Sequence, residues 1–137
     1  MLLARRDVAT RLGCRIIGRI VSFATAGVPP KIMGIGPAFA IPAALERCGL
    51  TVADIDIFEV NEAFASQATY CVKKLGIPKE KLNPKGGAIA LGHPLGMTGS
   101  RMICTLMSEL ERTNKRFGVV SMCIGTGMGA CGIFERE

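Results

Sequence analysis

Apolar positions along the chain keep two rhythms, one of three to four residues and one of two. A short apolar run, Leu2-Leu3-Ala4, comes first, and residues 7–13 can form a helix after it. Residues 16–23 are rich in β-branched side chains and read as a strand, which Gly27-Val28-Pro29-Pro30 breaks. Pro37 suits the first turn of a helix that carries Ile41, Leu45 and Cys48 on one face and stops at Gly49. Pro42 is awkward there, and tolerable only near the first turn. Residues 54–60 are strand-like and run straight into Asn61-Glu62-Ala63-Phe64, where Asn61 suits a helix N-cap and Glu62 its positive end. Phe64, Ala68, Cys71, Val72 and Leu75 then recur at helical spacing until Gly76. A long glycine-rich loop over 83–96 precedes a third helix bearing Ile103, Leu106 and Leu110. Residues 117–122 form a strand, 123–129 a second glycine-rich turn, and 130–134 a last strand. Strands alternating with helices predict an α/β layer fold.

Composition narrows this picture. The chain has 137 residues, 49% of them hydrophobic and 20% charged, which excludes a disordered tail. A mean hydropathy of +0.36 predicts apolar surface beyond a small core, facing a partner. No apolar stretch approaches the roughly 20 residues of a membrane-spanning helix. Four of the six net positive charges fall in the first nineteen residues, from Arg5, Arg6, Arg11, Arg15 and Arg19 against Asp7. Leu2, Leu3, Val8, Leu12, Ile16 and Ile17 interleave with them and no aromatic ring accompanies them. The run therefore reads as a solvated helix face, not a nucleic-acid surface or an organelle address. Six cysteines without a C-x-x-C pair, and a single histidine, fit neither a structural zinc site nor a disulfide scaffold. Cys48, Cys71 and Cys104 fall in helical apolar patterns and read as small buried hydrophobes.

Three polar residues at element junctions carry the candidate chemistry. Asn61 ends a strand, His93 sits between Gly92 and Pro94, and Cys123 closes a strand before Gly125-Thr126-Gly127. Loops at strand ends collect the sites of α/β folds. A cysteine and a histidine exchange protons near neutral pH, and an asparagine donates hydrogen bonds without charge, so the set suits acyl or carbanion chemistry. Plainer roles stand beside each: a helix cap for Asn61, a turn histidine for His93, an inert buried thiol for Cys123. Neither G-x-G-x-x-G nor the P-loop pattern occurs.

Asn61-Glu62-Ala63-Phe64, Gly92-His93-Pro94 and Cys123-Ile124-Gly125 resemble three fingerprint motifs of the thiolases, the acetyl-CoA C-acyltransferases, in the family's order and roughly its spacing. Met33-Gly-Ile-Gly-Pro37 and the run from Gly86 to Gly96 match as well, and Val120 to Gly129 is most similar to the peroxisomal 3-ketoacyl-CoA branch. The resemblance spans essentially the whole chain. It implies that His93 activates a nucleophilic cysteine and helps bind the thioester oxygen. It further implies that Asn61 holds a water completing that oxyanion hole, that Cys123 shuttles the proton at the substrate α-carbon, and that Gly125 donates its N–H to a second oxyanion hole. A nearby histidine and dipoles would keep Cys123 reactive near neutral pH. Met97 and Ser100 depart from the Cys and Ala of many relatives, with small effects expected.

Thiolases have two similar α/β halves and a loop domain, and the chain resembles the C-terminal half alone. Residues 1–137 are therefore expected to be one thiolase C-terminal domain without the N-terminal half or loop domain. The expected architecture is one mixed five-stranded sheet flanked by helices, its first strand truncated at residues 1–6. The parent reaction would be thiolytic cleavage of a 3-ketoacyl-CoA to acetyl-CoA and a shortened acyl-CoA. The chain alone is expected to be inactive, because the acyl-accepting cysteine belongs to the other half. No metal or redox cofactor is implied; coenzyme A and acyl-CoA enter as substrates. The N-terminal half is the expected partner, with a homodimer in the full-length parent and neither nucleic acid nor membrane span. Peroxisome is the implied compartment, with the mitochondrion as alternative. Alternatives in function are a non-catalytic remnant that pairs with a thiolase half, and an acetoacetyl-CoA or sterol-carrier-type thiolase.

Overall fold

The computed structural model describes residues 1–137. Four strands, β1 (Gly18–Gly27), β2 (Ile57–Val60), β3 (Phe117–Ile124) and β4 (Met128–Arg136), form one mixed sheet in the order β1-β4-β3-β2. The β1–β4 and β3–β4 pairs are antiparallel, and β2–β3 is parallel. Five helices surround it: α1 (Arg6–Arg11), α2 (Pro37–Glu46), α3 (Ala65–Leu75), α4 (Ala88–Leu91) and α5 (Thr98–Arg112).

Each face of the sheet has its own core. Phe58, Val60, Val119, Cys131 and Ile133 pack with Ile41, Ala44 and Leu45 of α2 on one side. Ile57, Val120 and Phe134 pack with Met102, Leu106 and Leu110 of α5 on the other. The result is a three-layer α-β-α domain, in line with the expected fold class. Helix α2 approaches the sheet backbone to backbone. A Cβ on Gly129 would lie 2.2 Å from the Gly36 carbonyl, so both glycines are needed where α2 begins.

The expected strand count does not hold. The sheet has four strands, and Met1 to Arg5 belongs to none of them. The exposed Leu2 and Leu3 touch no ladder, and the only addition beyond β2 is an isolated parallel bridge between Phe58 and Leu82. The strand expected over 16–23 instead runs from Gly18 to Gly27, because Ala24, Thr25 and Ala26 keep pairing with Cys131, Ala130 and Gly129. Asn61 does not cap a helix. Helix α3 begins at Ala65, and the Gln67 side chain takes the free N–H of Phe64 at 3.3 Å, leaving Asn61 to other work. Gly76, at φ 65°, ends α3 where the sequence placed its stop. Of the three cysteines expected inside, Cys71 is buried, Cys48 half-buried and Cys104 exposed, since α5 turns that flank to solvent. Four of the five arginines of the basic start are paired with carboxylates: Arg5 with Asp7, Arg6 with Glu137, Arg15 with Glu111 and Arg19 with Glu135. No helix is long and apolar enough to cross a membrane.

Candidate active site

Parallel strands β2 and β3 end side by side, and whatever follows them is delivered to one rim of the sheet. The N–H of Asn61 extends their ladder by one bond, to the Ser121 carbonyl at 2.9 Å. Side chains alternate along β2, so Phe58 and Val60 enter the α2 core while Ile57, Glu59 and Asn61 face α5. Asn61 is buried there, its Nδ2 3.2 Å from His93 Nε2. Asn61 Oδ1 is buried as well and has no protein partner. A buried polar atom left unpaired costs on the order of 1–3 kcal/mol, so this oxygen would gain most from a bound donor.

His93 is half-buried and lies between α4 and α5. Gly92, at φ 93°, makes the left-handed turn that ends α4 and returns the chain toward β2. The other ring nitrogen, Nδ1, is 2.7 Å from Thr98 Oγ1. Two side chains fasten the loop bearing this histidine. Asn83, in the left-handed region at φ 42°, accepts from the Val60 N–H at 2.9 Å and donates to the Val60 carbonyl at 3.0 Å, standing in for a strand partner at the outer edge of β2. It also donates to Glu62 Oε1 at 3.3 Å, while Glu62 Oε2 accepts from the Ile89 N–H of α4 at 3.2 Å. Glu62 thus serves α4 and not the helix after Asn61. Gly87 gives it room, since a Cβ there would lie 2.1 Å from the Glu62 carboxyl carbon.

One step deeper, fully buried Glu59 accepts from Arg101 Nη1 at 3.2 Å. Burial pushes its carboxyl up to about 7, against the opposing pull of Arg101. Glu59 Oε1 and Arg101 Nη2 both lack protein partners.

Cys123 and Gly125 lie on the adjoining strand end. Met122 packs toward α5, so alternation gives Cys123 the opposite face, shared with Val119. Its thiol makes no hydrogen bond to Asn61 or His93. Burial pushes it above the ordinary thiol value, whereas the sequence reading expected histidine and dipoles to keep it reactive near neutral pH. With no cation against the sulfur, desolvation decides the direction. Gly125 is exposed and opens the β3–β4 hairpin turn, completed by Thr126 and Gly127 at φ 72° and 101°. Space beside its Cα is open, with nothing within 4 Å of a Cβ built there.

The structure therefore joins Asn61 to His93, while Cys123, near the end of β3, faces the other side of the sheet and Gly125 lies in the turn that follows. Sequence reasoning missed Thr98, Asn83 and the Glu59–Arg101 pair. Glu59 had a visible signal, a lone acid inside an apolar strand. Thr98 had only a hydroxyl five residues beyond the histidine, and Asn83 only its position before Pro84.

Comparisons with known proteins fit this arrangement. A family model described as "Thiolase, C-terminal domain" matches residues 14–136. The chain is 69% identical over 136 residues to 3-ketoacyl-CoA thiolase B, peroxisomal, of Rattus norvegicus, covering 98% of this chain and 32% of the relative. It is 62% identical over 137 residues to the peroxisomal 3-ketoacyl-CoA thiolase of Saccharomyces cerevisiae, covering 100% and 32%. The solved dimeric peroxisomal thiolase of Saccharomyces cerevisiae superposes with a TM-score of 0.93 at 62% identity, covering 98% of this chain and 34% of that one. The acetyl-CoA acetyltransferase of Bacillus anthracis superposes with a TM-score of 0.94 at 42% identity, covering 96% and 34%. The chain thus spans about one third of the length of the curated relatives it matches. With the family model matched from residue 14 to residue 136, the chain belongs to the thiolase C-terminal domain family.

Proposed function

We propose that this domain supplies the acid–base and oxyanion-binding half of a degradative 3-ketoacyl-CoA thiolase, acting in the peroxisome as the named relatives do. The observation that carries the reading is the hydrogen bond between buried Asn61 and half-buried His93, beside an unpartnered Asn61 Oδ1. In the thiolytic direction, a thiolate on the N-terminal half attacks the 3-keto carbon, having given its proton to His93 Nε2. The bond between C2 and C3 breaks, its electron pair leaves with the acetyl-CoA fragment as an enolate, and the Cys123 thiol protonates that carbon. The thiol of coenzyme A then gives its proton to the Cys123 thiolate, its sulfur takes the shortened acyl group, and the released nucleophile recovers its proton from His93. Protonated His93 and Asn61 face the thioester oxygen, with Asn61 Oδ1 as the acceptor for a bridging water, and the Gly125 N–H serves a second oxyanion. A thiol held protonated by burial suits the acid step assigned to Cys123.

Both partners in this reading lie outside the chain: the N-terminal core that carries the nucleophile, and a second copy of the assembled subunit. The yeast peroxisomal enzyme is described as built from two core domains of identical topology, and as dimeric. The identities favour a peroxisomal 3-ketoacyl-CoA enzyme over a bacterial-type acetyltransferase, 69% against 42%. The test is reconstitution with the N-terminal core of a peroxisomal relative, followed by the loss of 3-ketoacyl-CoA absorbance on adding CoA. Mixed halves are expected to cleave and either half alone not to. Cys123→Ala is expected to lower the rate by roughly 10²–10⁴-fold. Folded, associated halves that stay inactive would end the acid–base assignment.

A further inference from the structure

The His93 ring is held at both nitrogens, and the two contacts agree on where its proton lies. Thr98 Oγ1 is 3.0 Å from the Pro94 carbonyl, to which its single hydroxyl proton is donated. That carbonyl also takes the backbone N–H groups of Met97 and Thr98, at 2.9 Å and 3.1 Å, which fixes the threonine in the first turn of α5. With its proton committed, the hydroxyl presents a lone pair to His93 Nδ1 at 2.7 Å, so the proton in that contact is the imidazole's own. At the other end Asn61 Nδ2 has only protons to offer, and at 3.2 Å it requires a bare Nε2. Thr98 is buried, so water does not compete for the Nδ1 proton.

We infer that Thr98 is a positioning residue that holds His93 in the Nδ1–H tautomer and so keeps the Nε2 lone pair free to act as base. The inference rests on the acid–base reading of His93 and says how the protein prepares that nitrogen. Free imidazole side chains in water prefer the Nε2–H form, which would be useless as a base at this position. Thr98 reverses that preference by accepting at Nδ1, the service a carboxylate performs for the histidine of a serine-protease triad. The competing account gives Thr98 a purely structural part, tightening the first turn of α5 through Pro94.

The chain has a single histidine, so the tautomer can be read directly. Protein labelled with ¹⁵N-histidine is examined in mildly alkaline buffer by a long-range ¹H–¹⁵N correlation spectrum. Wild type and Thr98→Ser are expected to show the Nδ1–H pattern, and Thr98→Val to move toward Nε2–H. In the reconstituted enzyme Thr98→Val is expected to lower kcat by roughly 10- to 100-fold with little change in KM, and Thr98→Ser to restore it. An Nε2–H pattern in wild type overturns the inference, as does an unchanged tautomer or an unchanged kcat in Thr98→Val. Should Thr98→Val fail to fold, the wild-type and Thr98→Ser spectra still decide. The spectrum needs no substrate, so reconstituted halves that stay inactive while His93 shows Nδ1–H count against the proposed function and not against this role of Thr98.

Discussion

Cys123 and Cys131 sit on the same hairpin, and the depth of each sulfur governs how readily it loses its proton. Burial pushes the Cys123 thiol up from the ordinary value, and pushes Cys131 further, to about 12. Cys14 and Cys104 are exposed. Alkylation with iodoacetamide at neutral pH, followed by mass spectrometry, is therefore expected to modify Cys14 and Cys104 first, Cys123 slowly and Cys131 last. Cys123 labelled ahead of both exposed thiols would show that a charge absent from this account activates it. The chemical identity of Asn61, His93 and Cys123 was legible because polar side chains at element junctions, His93 beside Gly92 and Cys123 two before Gly125, stand out from an apolar background. What they touch was not legible. Asn61 meets His93 across 32 positions of sequence, and no local pattern signals a contact made by folding.

At the scale of elements, stops were easier to read than starts. Gly76 has the left-handed conformation that closes a helix, and the sequence marked it correctly. The start of α3 moved from Asn61 to Ala65 because a tertiary contact claimed the better capping side chain and Gln67 replaced it. The fifth strand is absent because Met1 to Arg5 pairs with no ladder. The outer edge of β2 is met instead by residues 82 and 83: Leu82 bridges Phe58, the Asn83 N–H bonds the Phe58 carbonyl, and the Asn83 amide mimics a backbone partner for Val60. Asn83→Ala should remove both bonds to Val60, strain a left-handed position and loosen residues 83–93 from the sheet. A loss of about 1–3 kcal/mol in urea unfolding is expected, with faster amide exchange at Val60 and Ile89. Unchanged protection at Val60 would mean that other contacts hold the loop.

For the whole molecule, Glu59 makes stability depend on pH in an unusual window. Its carboxyl lies near its ordinary value of 4.5 in the unfolded chain and at about 7 in the folded one. Above 4.5 the unfolded state releases this proton while the folded state keeps it, so the contribution of Glu59 is complete below 4.5 and is lost as pH rises toward 7. The loss is on the order of 3 kcal/mol. Glu109, held low chiefly by Arg112, acts in the opposite sense and only at lower pH, where its carboxylate protonates. Chemical denaturation of wild type and Glu59→Gln across pH 4.5–7 should give curves whose separation changes steadily with pH. Parallel curves would show that Arg101 keeps Glu59 ionised throughout. Overall charge and hydropathy said nothing of this, because one buried carboxyl vanishes in a chain-wide average. The topology has a kinetic counterpart. Strands β2 and β3 are sheet neighbours, yet residues 61–116 separate them, and Asn61, His93 and Thr98 all lie in that crossover. The antiparallel β3–β4 hairpin can close early, through nearby contacts, whereas the parallel pair must wait for a long loop to return. The hydrogen-bonded triplet lies within that crossover, so the single histidine can serve as a local clock for how the segment between β2 and β3 organises during folding.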